Sequence, residues 1–375
     1  MLLRFLCYIS LIVFASLTIS AEEELYPVLY DENVGWINSK GEFAIIPEYD
    51  NRYEIVIKNI NGVKLPSINY LENVWFNEGL VFVRKHKYFL RIFKYGVDLS
   101  YIDKAGFPII EGLRGEAFKF SEGLAAYTIL QRFIQSTENA DYSYLNTKGE
   151  RAFKRNFKMA LPFNGGLALV LNNSVYEYIN KSGETVISNP EFQGAHSFSE
   201  GLASVKINNK WGYIDSTGNF VIEPQYETVG KFSDGIAKVM VNGVWAYIDK
   251  AGNYISDIRY INCTDFNNGL AAVLTHNNAD WQFINKSGEI AFPLKFQYAS
   301  QFSDGLALVM KDDLFGYIDV NGEMAIKNNL LYGEDFYRGA AVVYDDWGMH
   351  YMNKKGEKFY TIMYNEEIDD YLPSE

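Results

Sequence analysis

Apolar and polar residues alternate along this chain in short bursts separated by turn-forming residues. After Gly201 the chain reads Leu202-Ala203-Ser204-Val205-Lys206-Ile207, turns at Asn208-Asn209-Lys210, and returns through Trp211-Gly212-Tyr213-Ile214. A second turn, Asp215-Ser216-Thr217-Gly218, leads to Asn219-Phe220-Val221-Ile222. Period-two alternation marks a half-buried strand, because successive side chains face opposite sides of a sheet. The segment predicts a three-stranded meander, after which Pro224-Gln225-Tyr226 is expected to break the ladder and lead to Phe232.

The same pattern recurs. One motif is an aromatic residue, two variable positions, Gly, an aliphatic residue and a small residue: Phe120 to Ala125, Phe163 to Ala168, Phe198 to Ala203, Phe232 to Ala237, Phe266 to Ala271, Phe302 to Ala307 and Phe336 to Ala341, with a weaker copy at Phe76 to Val81. The other is Tyr-Ile-Asp/Asn-x-x-Gly, seen from Tyr101 to Gly106 through Tyr351 to Gly356, with an earlier copy at Trp36 to Gly41. Gly201, Gly218, Gly235, Gly252 and Gly269 are each 17 residues apart, and Gly305, Gly322, Gly339 and Gly356 keep that spacing. Two steps make a unit of about 34 residues, present in about eight copies, which is the signature of a repeat architecture.

Comparison between copies separates core from surface. Two positions after the first-motif glycine stand Ala125, Ala168, Ala203, Ala237, Ala271, Ala307 and Ala341. Four after it stand Val170, Val205, Val239, Val273, Val309 and Val343, while the position between varies from Lys238 to Leu308. The fixed face is the core face, and its alanines imply close approach of neighbouring sheets. The recurring Asp103, Asn146, Asn180, Asp215, Asp249, Asn285, Asp319 and Asn353 look like a cation-binding ladder, but half are amides and each lies three residues before a glycine. That spacing predicts turns capped by the Asx side chain, and the same structural reading is given to Glu200, Asp234 and Asp304. The fold class expected is all-β: stacked three-stranded meanders in an open or spiral solenoid, with a closed propeller as the alternative.

Composition supports this. Tyr (28) and Phe (26) favour strands, and 48% hydrophobic residues supply a core. The formal charge is −13, which disfavours nucleic acid as a partner. Residues 1–21 read as a Sec-type signal peptide: Arg4, an apolar run from Phe5 to Ile19, and small residues Ser20 and Ala21 before Glu22, Glu23 and Glu24. Export to the periplasm, cell surface or medium is expected, with no membrane span after cleavage; an uncleaved anchor is the other reading. Only Cys263 would then remain, so packing, not disulfides, must hold the fold.

The run Lys210-Trp211-Gly212-Tyr213-Ile214-Asp215, followed by Gly218 and Pro224-Gln225-Tyr226, resembles the bacterial WG-repeat family, also called KWG repeats. Trp245-Ala246-Tyr247, Phe315-Gly316-Tyr317, Trp347-Gly348 and Gly35-Trp36-Ile37 keep parts of the pattern. The resemblance runs from about residue 33 to 358 and implies a β-repeat architecture, frequent export and no catalytic residues. The organisation expected is a signal peptide over 1–21, divergent repeats over 22–110, regular repeats over 111–358 and an acidic tail over 359–375.

Departures from the rhythm are where function is sought. Gly79 to Gly106 spans 27 residues and Gly123 to Gly149 spans 26, which places extra length in two hairpins. The first is cationic, with Arg84, Lys85, His86, Lys87, Arg91 and Lys94, and is the candidate binding site for an acidic protein or anionic glycan. Its plainer reading is a solvated hairpin tip. Arg151, Lys154, Arg155 and Lys158 form a second basic run. His86, His196, His276 and His350 lack metal-ligand spacing, and no phosphate loop, dinucleotide fingerprint or nucleophile elbow appears, so neither metal nor cofactor is expected. The function expected is an exported, non-enzymatic scaffold for a protein partner, with a glycan-binding or glycan-processing protein as the alternative.

Overall fold

The computed structural model describes residues 23–30, 33–50, 55–60, 63–68, 75–89, 93–113, 117–129, 141–276 and 280–363. The proposed signal peptide and the acidic stretch Glu366 to Asp370 lie outside them. The described residues form small antiparallel sheets whose strands pair in chain order, and no helix among them is long and apolar enough to cross a membrane. The tandem all-β stack is therefore present as the periodicity predicts.

The sheet around Gly212 shows how a unit is built. Ala203–Ile207 pairs with Lys210–Ile214, which pairs with Phe220–Tyr226. A two-residue strand, Gly194–Ala195, precedes them and pairs with Ala203–Ile207, as do Thr228–Val229 and Tyr298–Ala299 in their own units. Strands this short leave no period to read, so the meander alone was expected. The outer strand also departs from expectation. Pro224 does not end it; pairing runs on to Tyr226, which faces Trp211. Register shifts on both sides of Tyr213 take up the surplus residues. The last sheet likewise runs through Lys358–Met363, past the boundary expected at residue 358.

Each interface between sheets is filled from both sides. Tyr213 and Ile222 of one sheet meet Phe232, Val239 and Ile248 of the next. Ala125, Ala168, Ala203, Ala237, Ala271, Ala307 and Ala341 are all buried, so the alanine face is the core face. Tyr101, Tyr144, Tyr178, Tyr213, Tyr247 and Tyr317 are buried too, and each hydroxyl donates to a backbone carbonyl about half a repeat further on, as Tyr213 does to Gly230 at 2.7 Å. A buried phenol needs such an acceptor, and here the bond ties one unit to the next.

The two ends of the stack meet. Ala340, Val342, Tyr344 and Tyr351 of the last sheet share one core with Leu25, Val28 and Trp36 of the first. Tyr351 donates to the carbonyl of Pro27, and Tyr26 donates to that of Arg338. Among the described residues no strand is exchanged between first and last sheets, so side chains make this contact. The stack of small sheets expected from the periodicity thus has its first and last described sheets in contact.

Candidate functional site

The Asx positions act as expected. In each Tyr-Ile-Asp/Asn turn the side-chain oxygen accepts two backbone N–H groups, those two and four residues on; Asn180 takes them from Ser182 and Glu184 at 3.0 Å each. Asp103, Asp249, Asp319 and Asn353 repeat the geometry. Asp and Asn interchange because the backbone of the turn engages one carbonyl-type oxygen, while the second group finds a partner of matching polarity: Asn180 Nδ2 donates to Glu184, and Asp249 Oδ2 accepts from Asn253.

The carboxylates before the first-motif glycine do something the sequence does not reveal. Glu200 accepts the N–H of Gly235 at 2.9 Å, one unit away, and Glu78, Glu122, Asp234 and Asp304 accept those of Gly123, Gly166, Gly269 and Gly339. All five sit at φ between 49° and 56°, a left-handed conformation that costs about 1 kcal/mol and is offset by a charge-assisted bond. Lys181, Lys250 and Lys354 reinforce Glu122, Glu200 and Asp304. Burial alone would raise the Glu200 pKa, but the bonds from Lys250 and Gly235 outweigh it and lower the pKa. In the last unit Arg338 replaces the acid and reverses the polarity, donating to the Phe76 carbonyl at 2.7 Å and pairing with Glu24.

The cationic hairpin is long, as its extra residues predict: Leu80–Phe89 pairs with Phe93–Asp103. Arg84 stands opposite Leu99 and Lys85 opposite Asp98. Adjacent strand residues face opposite sides, so these two do not share a patch. Arg84 is half-buried, while Lys85 is exposed with its Nζ 5.7 Å from the centre of the Tyr49 ring. His86, Lys87 and Lys94 have described backbone only, and Arg91 lies outside the described residues. Three members of the second basic run are held by the fold while Lys154 is exposed: Arg151 bonds Ser143 and the Arg155 carbonyl, Arg155 bonds Glu177 at 2.9 Å, Thr185 and the Gly183 carbonyl, and Lys158 pairs with Asp141.

A recess with different chemistry opens across the turns at Phe163, Phe198 and Phe232. It has a volume of about 450 Å³ and is lined by Asn164, His196, Ser197, Ser204 and Lys231 among others. The His196 ring stacks on Trp211 at 4.6 Å and 6°, and its Nδ1 lies 2.8 Å from the Ser204 hydroxyl. Burial lowers the His196 pKa, which favours the neutral ring at neutral pH. Sequence reading passed over this histidine because its partners, Ser204 and Trp211, belong to other strands and form no local motif. Cys263 is buried and its pKa is pushed up to about 11 by burial, a thiol unsuited to nucleophilic work.

Fold and site together define a tandem β-sheet repeat protein in which one stereochemical rule is applied many times. Five consecutive stretches of the chain, 142–176, 178–211, 211–245, 245–278 and 281–315, match the family model described as WG containing repeat. No curated protein matches the chain. Among solved structures it is similar to the crystal structure of the eukaryotic initiation factor, at 12% identity and a TM-score of 0.60, covering 92% of this chain and 96% of that one; this likeness is one of fold alone. AztD from Citrobacter koseri overlaps more weakly, with a TM-score of 0.39 and 13% identity over 91% of this chain and 94% of that one.

Proposed function

We propose that this chain is an exported, non-enzymatic scaffold that holds a protein partner against the outer strands of its sheets. One observation carries the reading. The outer segment of unit after unit exposes an apolar side chain: Phe43 and Ile46, Phe107 and Ile109, Val186, Val221, Tyr254, Ile290 and Met324. Where the segment pairs as a strand it is also the sheet edge, with one row of backbone groups unpaired within the sheet. Apolar side chains beside open edges are features by which partners dock on sheets. The repeat's Asx and Glu residues, meanwhile, are engaged by backbone N–H groups, which supports a structural role for them over chemistry.

The test compares the native chain with the triple variant Val186→Ser, Val221→Ser and Ile290→Ser. All three side chains are exposed, so the melting temperature is expected to stay within a few degrees while recovery of a specific partner from the exported fraction is lost. Equal recovery by both proteins would remove the outer strands from the proposal. Deletion of residues 1–21 is expected to keep the protein inside the cell; export of that variant would overturn the localisation.

A further inference from the structure

We propose that the recess across the Phe163, Phe198 and Phe232 turns binds a small acidic sugar of the uronic acid class, with its carboxylate filling a gap in the ladder of inter-unit carboxylates. The gap is at Gly165. Glu122 and Glu200, one unit to either side, each reach the next unit's glycine N–H, but Gly165 has no side chain with which to do so. The N–H that a side chain there would take belongs to Gly201, which is exposed and has no acceptor among the described residues. Gly201 lies between Ser199 and Leu202, both of which line the recess.

The charge required is in place. Lys231 lines the same recess and is exposed, and no carboxylate among the described residues pairs with it, whereas Lys238 and Lys250 are held by Asp265 and Glu200. The acids nearest Lys231 along the chain are engaged elsewhere, Asp234 by the Gly269 N–H and Glu227 by those of Asn242 and Gly243, and Glu200 beside Gly201 is bound to Gly235 and Lys250. The unit at Asn268 is the internal control. There too the ladder lacks a carboxylate and the following glycine, Gly305, keeps a free N–H, but the residue equivalent to Lys231 is Asp335. An anion is repelled there and attracted here.

The rest of the lining suits a ring bearing hydroxyl groups. The Ser197 hydroxyl and the Asn164 side-chain amide have no partner among the described residues, and His196 keeps Nε2 available while Nδ1 holds Ser204. A volume of about 450 Å³ lies within the roughly 300–1,000 Å³ usual for small-ligand sites. The anionic-glycan partner class thus acquires a place distinct from the cationic hairpin. Because the recess is formed by turns and not by outer strands, it stands or falls independently of the scaffold reading.

The test is calorimetric titration of the full chain with glucuronate, glucose and acetate. Glucuronate is expected to bind at least about tenfold more tightly than either of the others, a difference of about 1.4 kcal/mol. Gly165→Glu restores the missing ladder bond at a backbone angle, φ 63°, close to the 49° and 54° that Glu200 and Glu122 adopt. It and Lys231→Met are each expected to weaken glucuronate about tenfold or more. Should either variant fold poorly, the Gly201 amide resonance of the native chain provides the second readout and is expected to shift on addition of glucuronate. No binding of glucuronate, equal binding of glucose or acetate, native affinity in a folded variant, or an unmoved Gly201 resonance would each overturn the proposal.

Discussion

The sheet around Gly212 and the sheet around Ala246 differ by one methyl group at equivalent positions. In the first, the outer strand Phe220–Tyr226 crosses so close that a Cβ on Gly212 would lie 2.5 Å from the Ile222 carbonyl oxygen and 2.6 Å from the Pro224 nitrogen. In the second, Ala246 supplies that Cβ, and the outer segment is reduced to two isolated bridges, Ile248 with Tyr254 and Trp245 with Tyr260. Gly35 and Gly316 repeat the first case; Ser143 and Gln282 repeat the second. The glycine between Trp211 and Tyr213 is therefore not a turn residue. It admits a neighbouring backbone and lets the outer strand run long: Phe43–Asp50, Phe220–Tyr226 and Met324–Leu330 lie opposite Gly35, Gly212 and Gly316, whereas Ser100 and Glu177 at the same position go with the shorter Pro108–Ile110 and Thr185–Ser188.

His350 holds the same position in the last sheet and keeps an outer strand by another means. Its Nδ1 bonds Thr361 of Lys358–Met363 at 2.9 Å, its Nε2 bonds Asp345 at 2.8 Å, and Asp345 also pairs with Lys358. Polar bonds do there what close backbone approach does at Gly212.

Gly212→Ala tests the comparison most severely. The atoms it meets are backbone and cannot rotate away, so a loss of about 2–4 kcal/mol is expected, with hydrogen-exchange protection lost over 220–226. Intact protection there would break the argument. Next comes acid. Burial raises the Asp345 pKa, but the bonds from Lys358 and His350 overcome this and lower it to about 2. A depressed carboxylate stabilises the fold above its unfolded value, near 4, and that stability is lost as pH falls toward 2. Asp345→Asn is expected to remove about 2 kcal/mol at neutral pH and to flatten this part of the acid-unfolding curve; an unchanged curve would show that the pair does not anchor the strand. Tyr213→Phe removes one inter-unit hydrogen bond and imitates Phe283, the natural exception, so a loss of about 1 kcal/mol in a urea titration is expected. The smallest effect is Ala246→Gly, about 0.5–1 kcal/mol from backbone entropy, since no outer strand waits to be admitted. A cost as large as that of Gly212→Ala would erase the distinction between the two sheets.

Much of the fold was legible because it is local. Asn180 and Asp249 announce their turns by their distance from Gly183 and Gly252, and Ala203 and Val205 announce a core face by recurring at fixed offsets. What stayed hidden depends on contacts across units. The Glu200 bond to Gly235 joins residues 35 apart, so nothing near Glu200 distinguishes it from a local turn acid. Arg338 reads as a lapse in the pattern until its partners Phe76 and Glu24, at the other end of the chain, are seen. The recess was illegible for the same reason, since it is defined by a side chain that Gly165 lacks.

The meeting of Tyr351 with Pro27 and of Arg338 with Glu24 also orders events in time. Residues 24 to 28 leave the ribosome long before residues 338 to 351 exist, so their apolar surface must wait uncovered until that sheet has been made. A chain cut short before residue 338 would carry two complementary sticky termini, and the nearest mate for each would be the opposite terminus of a second copy, a head-to-tail pairing that propagates into fibres.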